Sequence, residues 1–223
     1  MDLEPVVAEA FSRLEDEGVD AFEVAGISEQ TLSVEAKRQM VESFERSLSA
    51  GIALRVVYRK RLGWSSTMDL SSPEIKKAVK SAVDSAKFSA ETKEAVIASP
   101  QVPSGDFAER VGRSFSEISD DDKIDLALSL ESAAIASDSR ISRVRSPRYE
   151  EVTSAVFIRN SNGISASGRR SMAYLTLQAI ATDKGGSESS YEIGFSPRFE
   201  DLEPKAVAAR SEERRVGKEC TIQ

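Results

Sequence analysis

Gly51-Ile-Ala-Leu-Arg-Val-Val-Tyr-Arg-Lys-Arg-Leu-Gly-Trp-Ser-Ser-Thr-Met-Asp-Leu-Ser71 is the stretch that decides the fold. Ile52–Tyr58 is rich in β-branched and large apolar residues, which reads as a strand. Arg61-Leu-Gly63 then reads as a turn into Trp64. Directly downstream, Ser72-Pro73-Glu74 opens a helix: Ser72 as N-cap, proline at the first helical position and an acid at the positive end of the helix dipole. Ile75, Ala78, Val79, Ala82, Val83 and Ala86 recur at helical spacing and form its buried face. A strand, a tight turn and an amphipathic helix in sequence predict an antiparallel sheet with helices packed on it.

The same grammar extends in both directions. Upstream, Leu3, Val6, Val7, Ala10, Phe11 and Leu14 share a helical face that Gly18 ends. Asp20–Ile27 reads as a strand, and Thr31–Lys37 alternates Leu32, Val34 and Ala36 against Ser33, Glu35 and Lys37, the pattern of a half-buried strand. For 39–48, Met40, Phe44 and Leu48 are spaced as in a helix, but the position between strands favours a strand. Downstream, Ser89–Phe115 is polar and irregular, a length of connection that is either functional or disordered. Ser119 and Asp120-Asp121-Asp122 start a helix whose face carries Ile124, Ala127, Leu128, Ala134 and Ile135. The three acids could serve as metal ligands, although acids at a helix N-terminus are expected in any case.

Strands follow at Ile141–Ser146, Glu150–Arg159, Ile164–Ser167, Ser171–Thr182 and Tyr191–Ser196, with Asn160-Ser-Asn-Gly163 as a hairpin signal. Ser171–Thr182 is apolar on both faces (Met172, Tyr174 and Ile180; Leu175, Leu177 and Ala179), which predicts a central strand covered on both sides. Asp201–Ala209 begins a last helix. The expected fold is therefore α+β, a mainly antiparallel sheet flanked by helices. Helix, strands, helix occurs twice, over 1–88 and 119–209 with an irregular loop 89–118 between, which admits an internal duplication.

Composition narrows the function. The chain of 223 residues is 40% hydrophobic and 30% charged, with a formal net charge of −7 and no histidine. That acidic balance argues against a general nucleic-acid footprint; Arg55, Arg59, Lys60 and Arg61 read as a strand end and its turn. The absence of histidine excludes a histidine-containing triad and an HExxH zinc site within these residues. The acidic start, Met1-Asp2-Leu3-Glu4, is not a signal peptide, and no apolar run approaches the roughly 18–20 residues of a membrane helix. A single cysteine fits a reducing compartment, so the expected location is cytoplasmic. The segment Arg210-Ser-Glu-Glu-Arg-Arg-Val-Gly-Lys-Glu-Cys220 resembles a translated sequencing-library adapter. Residues 210–223 are therefore expected to be a non-native tail, and Cys220 carries no redox or metal role.

Three blocks carry a family likeness: Gly51–Val56 with Arg61–Ser71, Arg159–Gly163 with Tyr174–Ala181, and Arg198-Phe-Glu-Asp-Leu202. Together they resemble the N-terminal domains of the TldD/PmbA family, the second half agreeing better with the PmbA (TldE) branch. The resemblance implies that 1–209 is one N-terminal domain of a longer subunit whose C-terminal domain is missing here. It implies a subunit of a cytoplasmic zinc metallopeptidase that trims unfolded or modified peptides, the zinc belonging to the complete complex. No catalytic or metal residue is carried over to this chain, and no cofactor is expected within it. The implied role is assembly and substrate confinement, with a TldD-like subunit or a second copy as partner and an extended peptide as substrate, and without membrane or direct nucleic-acid binding. A non-catalytic regulatory module of the gyrase-modulator type is the alternative. Trp64, Arg169, Tyr191 and Phe195 are the candidates for lining a peptide path, because an extended peptide can add to a strand edge through main-chain hydrogen bonds.

Overall fold

A computed structural model describes residues 2–93, 95–100, 115–183 and 186–210. Helix α1 (Glu4–Glu15) precedes strands β1 (Ala21–Lys37), β2 (Met40–Tyr58) and β3 (Arg61–Thr67), and helix α2 (Ser72–Phe88) follows. A 3-10 turn at Phe115–Glu117 leads into α3 (Asp120–Ser137), β4 (Ile141–Asn160), β5 (Ser165–Asp183) and β6 (Gly186–Ser196). Residues 204–210 form a last helix, α4. The strands make one antiparallel sheet in the order β3-β2-β1-β4-β5-β6. The α+β reading holds, and helix, three strands, helix does occur twice, with β1 and β4 as neighbours.

The strands are longer than the sequence suggests. Asp20–Ile27 and Thr31–Lys37 are one strand of 17 residues, and Met40–Tyr58 is one of 19. The predicted pairs Ile141–Ser146 with Glu150–Arg159, and Ile164–Ser167 with Ser171–Thr182, also merge. Polar stretches such as Ser28–Gln30 and Gly168–Arg170 look like breaks because they carry no apolar side chain. A ladder, however, is held by main-chain hydrogen bonds, which run on irrespective of the side chains.

The chain divides into two compact units. One is Met1–Glu29, Leu48–Glu109 and Ser154–Arg170; the other is Gln30–Ser47, Arg110–Thr153 and Ser171–Gln223. Each unit thus combines the helices of one half of the chain with the hairpin tip of the other half.

The first unit has a wholly apolar centre of Val7, Phe11, Leu14, Phe22, Val24, Ile52, Leu54, Val56 and the α2 row Ile75–Ala86. All six residues assigned to the α2 face are buried. At roughly 1.5–3 kcal/mol per fully buried Val or Ile side chain, that row alone supplies several kcal/mol of docking. The expected Arg61–Gly63 turn lies elsewhere. Arg59 and Lys60 make it, with φ of 49° and 61°, and the Asp20 carboxylate accepts the Arg59 N–H. Gly63 sits inside β3 for a different reason: a Cβ there would lie 2.2 Å from Ala86 N and 2.3 Å from Ala82 O. Glycine lets α2 lie directly on the strand. The N-cap of α2 is Ser71 rather than Ser72; the Ser72 hydroxyl donates instead to Glu9 Oε1 at 2.6 Å. In the hairpin tip, Asn160 Oδ1 accepts the Asn162 and Ile164 N–H groups while its amide donates to Ala98 O.

The second unit is built around Leu32, Val34, Ala36, Phe115, Ala127, Leu130, Ala134, Tyr149, Leu175, Leu177 and Val207. Here the α3 assignment needs correction. Ala127 and Ala134 are buried as expected, but Ile135 is 50% exposed, and Lys123 and Glu131 take places in the buried face. Ser119 does cap the helix, its hydroxyl accepting the Asp122 N–H at 3.1 Å. β5 is an inner strand, yet only one of its faces is buried: Ala173, Leu175, Leu177 and Ala179 are enclosed, whereas Met172, Tyr174 and Ile180 are half-buried.

Candidate functional site

An exposed apolar row of the second unit lies on β6, an edge strand. Register places Phe195 opposite Tyr174, Ile193 opposite Thr176 and Tyr191 opposite Gln178. Because strand side chains alternate, Tyr191, Ile193 and Phe195 share one face, at 59%, 43% and 65% exposure. The rings of Phe195 and Tyr174 meet at 6.4 Å between centroids, tilted by 44°. On the opposite face, Glu192 and Ser196 are buried. A Cβ on Gly194 would come within 2.5 Å of Val207 Cγ2, so glycine is what allows α4 to pack there. One face of β6 is thus locked down and the other offered to solvent. The Arg210 guanidinium donates to Ile193 O of this strand at 3.1 Å.

The four sequence candidates are divided between the two units. Tyr191 and Phe195 are two turns of the pleat apart on β6. Trp64 is in the first unit, on β3 at the other end of the strand order, 71% exposed and opposite Arg55. Arg55 pairs with Glu23 at 3.5 Å. Arg169 is an exposed residue of β5 within the first unit. The start of the β3 edge is covered: Arg61 bridges Glu91, and the Thr92 N–H donates to Lys60 O at 2.8 Å. The basic cluster is dispersed over such contacts, with Arg59 over the Tyr58 ring and Arg61 donating to Lys87 O. Ile193 completes the β6 row and was missed, although the alternation Tyr191-x-Ile193-x-Phe195 signals it; Tyr174 stands beside the row on β5.

Sequence reading also missed a buried polar cluster in the second unit. Lys123, 2% exposed, donates to Glu151 Oε1 at 2.9 Å, and the Tyr149 hydroxyl donates to Glu151 Oε2 at 2.6 Å. Burial, reinforced by that hydrogen bond, pushes the Tyr149 phenol far above its ordinary range. Glu131 does something different. Its two oxygens accept the Arg38 and Gln39 N–H groups at 2.8 and 2.7 Å, clamping a two-residue turn in which both residues have positive φ (54° and 59°). A second acid–base contact, Glu35 with Arg148, holds the Glu35 carboxyl below its usual range through the Arg148 hydrogen bond.

Among the described residues no group of three or more His, Cys, Asp or Glu could hold a metal ion. Asp120 pairs with Arg46, and Asp122 exchanges hydrogen bonds with Ser119, so the acid run belongs to the helix start. The described residues do not fit a metal. Of the tail expected at 210–223, residues 211–223, Cys220 among them, lie outside the described residues.

Two consecutive domains of one family match the sequence: "PmbA/TldA metallopeptidase domain 1" over residues 22–86 and "PmbA/TldA metallopeptidase central domain" over residues 113–219. The chain belongs to the TldD/PmbA family. Among curated relatives, "Metalloprotease PmbA homolog" of Haemophilus influenzae is 28% identical over 81% of the chain. "Metalloprotease PmbA" of Escherichia coli O157:H7 is 26% identical over 85%. The matches span 40% and 42% of those relatives, so the chain covers about two fifths of their length. The fold recurs in a suggested modulator of DNA gyrase from Bacteroides thetaiotaomicron (TM-score 0.84, 22% identity, 96% of this chain and 49% of that one). It recurs in another from Thermotoga maritima (0.80, 20%, covering 96% and 48%), and in TldE from Thermococcus kodakarensis (0.71, 15%, covering 95% and 46%). No described helix is long and apolar enough to cross a membrane.

Proposed function

We propose that this TldD/PmbA chain serves a zinc metallopeptidase complex by assembly and substrate confinement, holding unfolded or modified peptides rather than cleaving them. The observation that carries the reading is the edge strand β6 with Tyr191, Ile193 and Phe195 exposed on one face. An extended peptide laid along such an edge gains main-chain hydrogen bonds that are blind to sequence, and an apolar row gives its alternate side chains a surface to rest on. Trp64 and Arg169 are secondary candidates for the path, lying in the other unit. On this reading residues 1–209 are the N-terminal domain of a longer cytoplasmic subunit, with sub-halves 1–88 and 119–209 and a foreign tail at 210–223. Its partner is a TldD-like subunit or a second copy, and the zinc belongs to the part of the complex outside this chain. The reading involves no membrane and no direct contact with nucleic acid.

The test uses the full-length subunit with a TldD-like partner and zinc. Tyr191→Ser with Phe195→Ser should raise KM for an unfolded peptide at least fivefold while leaving kcat within about twofold, the signature of lost uniform binding. A photo-crosslinking peptide should label β6 in the parent and lose that label in the variant. Unchanged KM together with labelling elsewhere would reject the strand edge as the peptide path. A second reading, a non-catalytic regulatory module, is favoured by the names of the two gyrase-modulator neighbours. It expects partner binding that survives chelation of zinc and needs no peptidase activity.

A further inference from the structure

The chain has two asparagines, Asn160 and Asn162, and both stand at the tip of the β4–β5 hairpin, within the first unit. Their surroundings differ. Asn160 is 2% exposed, and its Oδ1 accepts the Asn162 and Ile164 N–H groups at 3.1 and 3.0 Å. Asn162 is exposed and is followed by Gly163, whose φ is 94°. The Asn162 amide donates to Ile97 O at 2.9 Å and to Ala98 O at 3.3 Å, with Ser99 Oγ at 3.5 Å. Those contacts seat the segment 95–100 on the tip as a strap. Pro100 Cγ lies 3.8 Å from where a Cβ on Gly163 would stand. Ser161 ties the tip itself to β1: it donates its N–H to Phe22 O, and its hydroxyl accepts the Phe22 N–H, both at 2.9 Å.

The geometry points to Asn162 as a site of spontaneous deamidation whose conversion loosens the strap 95–100 from the hairpin tip. In the first step the Gly163 main-chain nitrogen attacks Asn162 Cγ. The new N–Cγ bond forms, the Cγ–Nδ2 bond breaks, and ammonia leaves with the proton that the main-chain nitrogen gives up. Water then opens the five-membered imide at either carbonyl and leaves an aspartate or an isoaspartate at position 162; nothing is oxidised or reduced. Asparagine is among the thermolabile side chains, and glycine has no Cβ to crowd the attacking nitrogen. Asn160 lacks both the exposure and the glycine, since the nitrogen that follows it belongs to Ser161 and is held by Phe22 O. The folded tip acts as a brake on Asn162. The Gly163 N–H donates to Asn160 O at 3.2 Å, and this bond and those to the strap must part before the attack, a local opening.

The consequence is an exchange of donor for acceptor. An asparagine amide nitrogen carries two donors, whereas an ionised carboxylate only accepts. After conversion a negative oxygen faces Ile97 O and Ala98 O in place of the amide. Ala98 O keeps a donor, because Asn160 Nδ2 reaches it at 3.0 Å. Ile97 O loses the donor that Asn162 gave it, so the buried Ile97 side chain is where the strap lifts first.

The test incubates the whole chain at mildly alkaline pH and follows both asparagines by peptide-mapping mass spectrometry. Asn162 should gain one mass unit at least tenfold faster than Asn160, and part of the product should be isoaspartate by methyltransferase assay. In a chain carrying ¹³C-methyl isoleucine, the Ile97 methyl resonance should move towards the position of an exposed isoleucine in the aged protein and in Asn162→Asp. The Ile193 methyl, on β6 in the other unit, should stay in place in both. Conversion of Asn162 no faster than that of Asn160, or an unmoved Ile97 methyl in Asn162→Asp, would overturn the assignment. So would a shift at Ile193 as large as that at Ile97, since the loss would then be general rather than local to the strap. The outcome is independent of the peptide-edge reading, which rests on β6.

Discussion

The two units bury their helices by different means. In the first, α2 lies on β3 through Gly63 and presents six apolar residues with no charge among them. In the second, α3 sends Lys123 and Glu131 inward and leaves Ile135 in solvent. The buried helix faces of the first unit carry no charge. The second adds a set of buried charges, each with a named partner, and such charges are tolerated only when paired and hydrogen-bonded. The contrast teaches where each unit is fragile: the first to added volume, the second to a lost partner.

The largest effect expected from breaking that contrast is at the buried pair. Lys123→Met should destabilise the second unit by about 3–5 kcal/mol, because it strands Glu151 without its cation. Adding Glu151→Gln, which can still accept the Tyr149 hydroxyl, should recover most of the loss. Urea denaturation of the single and double variants checks this, and equal losses in both would mean that packing rather than charge carries the site. Next comes Gly63→Ala. A methyl 2.2 Å from the α2 backbone cannot be absorbed by a side-chain rotation, so about 3 kcal/mol of overpacking strain is expected. Hydrogen exchange should locate the loss in α2 and β3 and leave α3 protected.

A smaller effect belongs to the turn clamp. Glu131→Ala leaves the Arg38 and Gln39 N–H groups without their acceptor and should cost about 2 kcal/mol. Gln39→Gly in that background should return roughly 0.5–1 kcal/mol, since glycine adopts positive φ without strain; no recovery would show that the turn geometry is not what Glu131 holds.

The smallest effect is a dependence on pH. Tyr149 keeps its proton in the folded state well above the ordinary phenol range. Its contribution is therefore complete below the unfolded pKa of about 10. As pH rises beyond that value the unfolded chain sheds the proton and the folded one does not, so stability falls. Tyr149→Phe should flatten the decline between about pH 10 and 11 relative to the parent, measured by thermal melts. An identical slope in both would remove Tyr149 as its source.

How much of this was legible in the sequence follows the same division. The α1 and α2 faces could be read residue by residue, because an apolar stripe at period 3.6 has one physical meaning. The α3 face could not. Its stripe is broken by a lysine and a glutamate that appear solvent-bound until Glu151, Arg38 and Gln39 are brought to them from distant positions. In the candidate site, Tyr191 and Phe195 were visible as aromatic residues in a strand, but their edge position was not, since strand order is a long-range property. Trp64 and Arg169 were grouped with them on residue type, and residue type says nothing about which unit a side chain joins.

The sequence by itself determined the α+β class, the repeated order of helix, strands and helix, the principal helix faces and the family likeness. All of these rest on local periodicity or on contiguous motifs. The tertiary structure alone decided that short apolar runs join into strands of up to 20 residues, that Gly63 serves packing rather than a turn, and that hairpin tips belong to the opposite unit. It also decided which charges are buried. Each of these depends on what a residue meets across the fold, and a linear pattern does not encode its own partners.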